Sequence, residues 1–126
     1  MNSKQSFSTN KKKILAADDD PAILEVLTFM LEDAGYDIRT TVNGHTEQMA
    51  REYLPDLILL DIWMAGTDGR KICKSLKSQK LTKNIPIIII SANNDTKSIA
   101  KEAGADDFLD KPFDMKDLLT KVAKYT

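Results

Sequence analysis

Short apolar runs alternate with longer amphipathic stretches along most of this chain. This alternation is typical of repeated βα units built around a parallel sheet. We therefore predict an α/β fold with five strands and five helices. The predicted strands are Lys13–Ala17, Asp37–Thr41, Asp56–Leu60, Ile85–Ile90 and Asp107–Leu109. The fourth run is apolar without alternation, as expected for a central strand that is covered on both faces.

The first and last predicted helices have the clearest boundaries. Asp20 is a candidate cap for the first helix, Pro21 suits its first position, and Gly35 is expected to end it. The last helix is predicted to begin near Asp114. The stretch 94–103 offers few inward-facing apolar residues, so we expect a lightly anchored helix there.

Length and charge limit the classes of function. The 126 residues match one domain, which we expect to span 11–126 after a disordered polar tail at 1–10. With 18 basic and 19 acidic side chains the net charge is −1, which provides no global attraction for nucleic acid or an anionic membrane. The chain has neither a long apolar run nor the apolar stretch of a signal peptide, so we expect a cytoplasmic protein.

Several residues with reactive or aromatic side chains receive structural interpretations. Cys73 is the single cysteine and is predicted to pack on the apolar side of a helix, and His45 is predicted to lie at the surface. Tyr53 and Leu54 are predicted to belong to the core. A group of lysines around the third helix is interpreted as a solvated face rather than a docking strip. These are Lys71, Lys74, Lys77, Lys80 and Lys83.

Polar side chains follow four of the apolar runs. They are Asp18, Asp19 and Asp20 after the first run, Asp61 after the third, Ser91 after the fourth and Lys111 after the fifth. Because parallel strands joined by right-handed crossovers end at the same edge of a sheet, these side chains are expected to meet there. Any one of them is equally well explained as a helix cap, but all of them together indicate a site.

The residue types at this edge point to phosphoryl chemistry. Two carboxylates about 4 Å apart repel by roughly 4 kcal/mol at an effective dielectric constant near 20, so they need a cation. Mg²⁺ prefers oxygen ligands and usually takes one or two carboxylates, which Asp19 and Asp61 are placed to supply. Asp61 would then be the nucleophile toward a phosphoryl group, with Lys111 and Ser91 on its other oxygens.

From about Lys11 to the C-terminus, the chain resembles the receiver domains of two-component response regulators. The resemblance rests on the segments ILAADDDP, LLDIWMAGTDG, IIIISA and GADDFLDKPF, in this order and at the intervals of the family. It implies a doubly wound, CheY-like sheet of five parallel strands in the order 2-1-3-4-5, flanked by five helices. It also implies a single-domain response regulator that works in phosphorelay signal transduction.

The resemblance assigns roles to individual residues. Asp61 takes the place of the phosphoacceptor, which receives its phosphoryl group from a histidine kinase or a histidine phosphotransfer protein with Mg²⁺. Asp19 would bind the metal directly together with Asp61, and Asp18 mostly through a metal-bound water. The backbone carbonyl of Trp63 matches the position that completes the ligand set. Lys111 matches the lysine that contacts the phosphoryl group.

The resemblance further implies a switch. The Ser91 hydroxyl would move toward the phosphoryl group, and the ring of Phe108 would enter the space that it leaves. The surface formed by the fourth helix, fifth strand and fifth helix would then change for partner binding. The Lys111–Pro112 peptide bond is expected to be cis. No enzymatic activity is expected beyond formation and loss of the aspartyl phosphate on the protein itself.

The loop after Asp61 departs from the family pattern. Ala65 and Thr67 stand where the family usually has proline and a large apolar residue, so we expect a more mobile loop. Two interpretations of Trp63 remain open at this stage. Its indole either shields the site from water or is an exposed anchor for a partner protein.

Two other classes of protein were compared with this interpretation. A phosphohydrolase of the haloacid dehalogenase type would need threonine or valine after an acidic pair, whereas Pro21 and Ala22 follow Asp20. A phosphorylation-independent adaptor would usually lack an acid or the lysine, and all are present here. The last six residues leave no room for a DNA-binding module, so we expect a stand-alone receiver that acts through another protein, as a monomer or a weak phosphorylation-dependent dimer.

Overall fold

The computed structural model describes residues 11–64, 66–92 and 94–126. Five strands form one parallel sheet in the order β2-β1-β3-β4-β5. They are β1 Lys13–Ala17, β2 Asp37–Thr41, β3 Leu57–Asp61, β4 Ile87–Ser91 and β5 Asp107–Asp110. The predicted fold class and strand order are confirmed. The disordered tail predicted for residues 1–10 lies outside the described residues.

Five α-helices cover the two faces of the sheet. They are α1 Pro21–Asp33, α2 Thr46–Tyr53, α3 Gly69–Ser78, α4 Thr96–Ala103 and α5 Met115–Tyr125. Helices α1 and α5 contribute to one apolar core, and α2, α3 and α4 contribute to the other. Successive residues of the strands enter opposite cores, so that Leu15 lies in one and Ile14 in the other. A sheet that is buried on both faces explains the uninterrupted apolar runs.

The helix caps agree with the sequence prediction. The Asp20 carboxylate accepts a hydrogen bond of 2.9 Å from the N–H of Ala22 at the start of α1. Gly35 follows the end of α1 with a positive φ of 97°, a backbone conformation that glycine adopts without strain. Asp114 caps α5 by accepting a 2.7 Å hydrogen bond from the N–H of Asp117.

Strands β3 and β4 begin and end later along the chain than the apolar pattern predicts. The Asp56 carboxylate accepts a 2.8 Å hydrogen bond from the N–H of Lys13, which fixes Asp56 just before β3. At the other end, Asp61 pairs with Ile90, and Ser91 pairs with Asp110. Asp61 and Ser91 are therefore the last residues of their strands rather than the first residues of loops, because the ladder extends through them.

The assignment of Leu54 to the core is wrong. Tyr53 is buried in the core as predicted, but Leu54 is 42% exposed. Leu54 ends α2 in the left-handed conformation, with a φ of 49°, and its N–H donates to the carbonyl of Ala50. The change of backbone direction at this residue leaves the leucine side chain in solvent. Cys73 is fully buried and His45 is exposed, as predicted.

The edge of the sheet at the amino ends of the strands is held by a hydrogen-bond network around the partly buried Lys77. The Lys77 ammonium donates to the Asp106 carboxylate at 2.7 Å and to the Ile85 carbonyl at 2.8 Å. The same carboxylate oxygen accepts a 2.8 Å hydrogen bond from the N–H of Ile87, the first residue of β4. Lys77 therefore does not belong to the solvated face that was predicted for the lysines of this region.

Among the described residues, no helix has the length and apolar character that crossing a membrane requires.

The chain makes a tight loop between the end of β3 and the start of α3. Residues Trp63–Met64 and Thr67–Asp68 pair as a short antiparallel ribbon, and the N–H of Gly69 donates to the carbonyl of Ile62 at 2.8 Å. A Cβ at Gly69 would overlap the backbone carbonyl of Asp61 and lie 2.8 Å from the Cα of Ile62. The predicted mobility of this loop involves Ala65, which lies outside the described residues.

We expect Gly69→Ala to lower the free energy of unfolding by roughly 1–3 kcal/mol, because the added methyl group has only backbone to displace. Gly44→Ala is the matched control, since a Cβ at Gly44 has nothing within 4 Å. Urea unfolding of both variants measures the difference. Equal stability of the two variants would contradict the close approach of Gly69 to the end of β3.

Candidate functional site

The predicted polar groups lie together at the carboxyl edge of the sheet. Asp18 follows β1, Asp61 ends β3, Ser91 ends β4 and Lys111 follows β5. Asp18, Asp61 and Ser91 are buried, whereas Asp19 and Lys111 are partly exposed. The parallel topology brings these residues together from four separate parts of the chain. The Lys111–Pro112 peptide bond is cis, as predicted.

The Lys111 ammonium lies between the two buried carboxylates. Its Nζ is 2.8 Å from Oδ2 of Asp18 and 3.7 Å from Oδ1 of Asp61. The other oxygen of Asp18 accepts a 2.9 Å hydrogen bond from the N–H of Asp20. Both oxygens of Asp18 are thus engaged at short range, whereas the positive charge of Lys111 reaches Asp61 less closely.

The electrostatic environment raises the pKa of Asp61 to about 6. Burial is the largest cause, and the negative charge of Asp18 adds to it. The charge of Lys111 and hydrogen bonds from the backbone N–H groups of Ile62 and Trp63 act in the opposite direction without cancelling the rise. The single ammonium of Lys111 therefore does not offset both the burial of Asp61 and the charge of Asp18.

The donor set fits a hard divalent cation only in part. Within the described ranges, no three His, Cys, Asp or Glu side chains are arranged to hold a metal ion. A magnesium site does not require three, because Mg²⁺ commonly combines one or two carboxylates with water and phosphate oxygens. Asp18 and Asp61 are close enough for the charge of one to raise the pKa of the other. Their oxygens match the ligand preference of Mg²⁺.

Trp63 lies at the rim of the site and contacts Arg70. The indole is 51% exposed, and the guanidinium carbon of Arg70 is 4.8 Å from its ring centroid. Arg70 also forms an ion pair with Asp68, with Nη2 2.8 Å from Oδ2. Sequence reasoning singled out Trp63 but missed Arg70, because this contact depends on how the ribbon folds back toward α3.

Phe108 is half-buried on β5 and packs against the core formed by α2, α3 and α4. The Lys121 ammonium lies 5.2 Å from the centroid of its ring and 2.8 Å from the Asp107 carboxylate. The hydroxyl of Tyr125 donates to the other oxygen of Asp107 at 3.0 Å. Sequence reasoning identified Phe108 and missed Lys121 and Tyr125, which are one helical turn apart on α5.

The comparison with protein families agrees with this geometry. The family model of the response regulator receiver domain matches residues 14–123, which include all five strands except the first residue of β1. This chain belongs to that family. The receiver domain is also 38% identical over 113 residues to RpaA of Synechocystis, described as a DNA-binding dual master transcriptional regulator. That match covers 87% of this chain and 47% of RpaA, so the chain spans about half the length of this curated relative.

Solved receiver structures share the fold. A putative response regulator from Chloroflexus aurantiacus superposes with a TM-score of 0.86 at 34% identity, covering 92% of this chain and 98% of that one. The receiver domain of the sensor histidine kinase PA1611 from Pseudomonas aeruginosa has a TM-score of 0.83 at 26% identity, with 91% and 97% covered. That structure is described with a magnesium ion coordinated in its active site cleft.

The Asp107–Lys121 pair is expected to give a pH-dependent contribution to stability. Burial raises the pKa of Asp107, but Lys121, the N–H of Phe108 and the Tyr125 hydroxyl outweigh it and hold the pKa below its ordinary value. A lowered folded-state pKa stabilises the protein above the unfolded pKa, and this contribution disappears as the pH falls through the folded pKa.

Lys121→Met should therefore lower the free energy of unfolding by about 0.5–1 kcal/mol at neutral pH and by less once the pH falls through the folded-state pKa of Asp107. Lys116→Met, on the exposed side of α5, is the control. Urea unfolding at several pH values measures both variants. A loss that is constant with pH would mean that a contact of Lys121 other than its pair with the ionised Asp107, such as that with the Phe108 ring, stabilises this region.

Proposed function

We propose that this receiver domain accepts a phosphoryl group on the carboxylate of Asp61 in a reaction that requires Mg²⁺. The observation that supports it best is the position of Asp61, which is buried at the end of β3, beside Asp18 and 3.7 Å from the Lys111 ammonium. A carboxylate in such surroundings is a nucleophile whose product, an acyl phosphate, lies next to groups that stabilise phosphoryl oxygens.

The proposed reaction is a displacement at phosphorus. A carboxylate oxygen of Asp61 forms a bond to the phosphorus of a phosphohistidine while the phosphorus–nitrogen bond breaks, and the electron pair leaves with the imidazole nitrogen. With a pKa of about 6, Asp61 is mostly ionised at neutral pH, so it needs no general base. The donor would be a histidine kinase or a histidine phosphotransfer protein.

Asp19 and Asp61 would bind Mg²⁺ directly, Asp18 mostly through water, and the backbone carbonyl of Trp63 would complete the protein ligands. When bound, the metal supplies positive charge at the phosphoryl oxygens and offsets the repulsion among the acids. Two observations support this assignment. Burial and then the charge of Asp18 raise the pKa of Asp61, so a nearby cation would favour its ionised form, and the PA1611 receiver is described with magnesium in its cleft.

Lys111 and Ser91 would hold the remaining phosphoryl oxygens. The ammonium of Lys111 already lies within 4 Å of both carboxylates, so a small shift from Asp18 brings it to a phosphoryl group on Asp61. The hydroxyl of Ser91 is on the last residue of β4, next to the residue that pairs with Asp61. Both groups would stabilise the charge of the phosphoryl oxygens rather than take part in bond formation.

We propose that phosphorylation switches the surface formed by α4, β5 and α5. Ser91 would move toward the phosphoryl group and Phe108 would turn inward, altering what a downstream protein contacts. The short helix α4 supports this role, because its buried side chains are small apart from one isoleucine. The domain would act in the cytoplasm as a signalling switch, without turnover of a separate substrate and without binding nucleic acid or membrane.

The test is intact mass after incubation with acetyl phosphate, with and without Mg²⁺. The parent protein should gain one phosphoryl group only with the metal, and Asp61→Asn should gain none because its amide is not a nucleophile. Asp110→Asn is the matched control, since Asp110 also ends a strand but is exposed. It should be phosphorylated like the parent.

Either of two results would contradict the proposal. Labelling of Asp61→Asn would place the phosphoryl group on another residue. No adduct in the parent protein, with Mg²⁺ binding confirmed by the fluorescence of Trp63, would favour an adaptor that binds its partners without phosphorylation.

A further inference from the structure

The rim of the site contains a three-residue contact that the phosphorylation chemistry does not require. Trp63 and Asp68 face each other across the ribbon after β3. Arg70, in the first turn of α3, lies against both of them. The contact therefore ties the ribbon to α3 at a point two residues from Asp61.

Asp68 holds Arg70 in a fixed orientation. The Asp68 carboxylate accepts hydrogen bonds from Nε of Arg70 at 3.0 Å and from Nη2 at 2.8 Å, and it also caps α3 by accepting the N–H of Arg70 at 2.9 Å. This pairing lowers the pKa of Asp68, chiefly through the side-chain hydrogen bond from Arg70. A guanidinium bound at two of its nitrogens is restricted in orientation, and here its carbon lies 4.8 Å from the centroid of the Trp63 ring.

The indole lies on the side of the ribbon that faces α2 and α3. Trp63 borders a surface cleft of about 550 Å³ that is also lined by Glu47 of α2 and Lys71 of α3. At the same time the backbone N–H of Trp63 donates to the Asp61 carboxylate. The backbone of Trp63 is thus part of the site, while its ring is held to one side by Arg70.

We propose that Arg70 is a positioning residue that holds the Trp63 indole on the α2–α3 side and keeps the approach to Asp61 open to the phosphodonor and to water. This proposal rests on the proposed function, and it assigns to Arg70 an influence on the rates at which the phosphoryl group on Asp61 is formed and lost. Without Arg70 the indole gains other rotamers, including rotamers that cover the Asp61 carboxylate. This carboxylate is close, because it accepts a hydrogen bond from the backbone N–H of Trp63. Covering Asp61 slows both the arrival of a donor and the attack of water on the acyl phosphate.

The contact between Arg70 and the indole is testable without phosphorylation, because Trp63 is the only tryptophan in the chain. Arg70→Ala should shift the emission maximum and change the quenching by acrylamide, since the ring loses the guanidinium on its face. Lys74→Ala removes a neighbouring exposed cation of α3 and is the matched control. It should leave the emission as in the parent, and circular dichroism confirms that both variants are folded.

The kinetic test measures formation and loss of the phosphoryl adduct by intact mass, with acetyl phosphate as the donor. Arg70→Ala should lower both rate constants by about two- to fivefold, the range expected when an exposed cation–π contact is lost. Arg70→Lys keeps the charge but not the flat two-point contact, so its rates should lie between those of Arg70→Ala and the parent. In the Trp63→Ala background, Arg70→Ala should have no further effect.

The last comparison separates positioning from a merely structural role. If Arg70 only stabilised the loop, its removal would have the same effect with or without the indole, and the proposal would be overturned. Faster loss of the phosphoryl group in Arg70→Ala would also overturn it, because the stacked indole would then be a shield. Absence of any adduct in the parent would overturn the proposed function, whereas equal rates in parent and Arg70→Ala would overturn only the role of Arg70.

Discussion

The parallel register of the central strands is the constraint on which the site depends. Ala17 pairs with Leu60 across β1 and β3, and Asp61 pairs with Ile90 across β3 and β4. Because these strands end at nearly the same level, the residues that follow or end them meet at one edge. A slip of one residue would turn every side chain of a strand to the opposite face. The two apolar cores oppose such a slip, so hydrophobic burial determines the geometry of the polar site.

The carboxyl edge of the sheet carries an electrostatic cost, because two carboxylates are buried close together there. Asp18 and Asp61 lie in a buried environment with one ammonium between them, and burial together with the charge of Asp18 raises the pKa of Asp61. A structure selected for stability alone would neutralise or separate these charges. The presence of both carboxylates is explained if a cation binds at this edge, because its positive charge would reduce the repulsion between them.

The sequence allowed the fold and most of the site to be predicted because both depend on patterns that are local to each strand. Each apolar run marks a strand, and the residue at its end marks the edge, so Asp61 and Lys111 could be placed together without coordinates. The prediction failed where a side chain's surroundings depend on the exact path of the backbone through a turn or loop. Leu54 resembles a core residue until the left-handed turn at the end of α2 is known, and nothing near Arg70 in the sequence identifies Trp63 as its partner.

The Lys77 network at the opposite edge has a different character from the carboxyl edge, where Asp61 lies. Lys77, Asp106 and the N–H of Ile87 satisfy one another at 2.7–2.8 Å, and the ammonium also holds the carbonyl of Ile85. These partners are complete within the protein, so no ion or ligand needs to join them. The amino edge is thus closed by pairing within the protein, whereas at the carboxyl edge the Lys111 ammonium lies within 4 Å of both Asp18 and Asp61. Such a division allows residues at the carboxyl edge to be substituted without disturbing the pairing that closes the amino edge of the sheet.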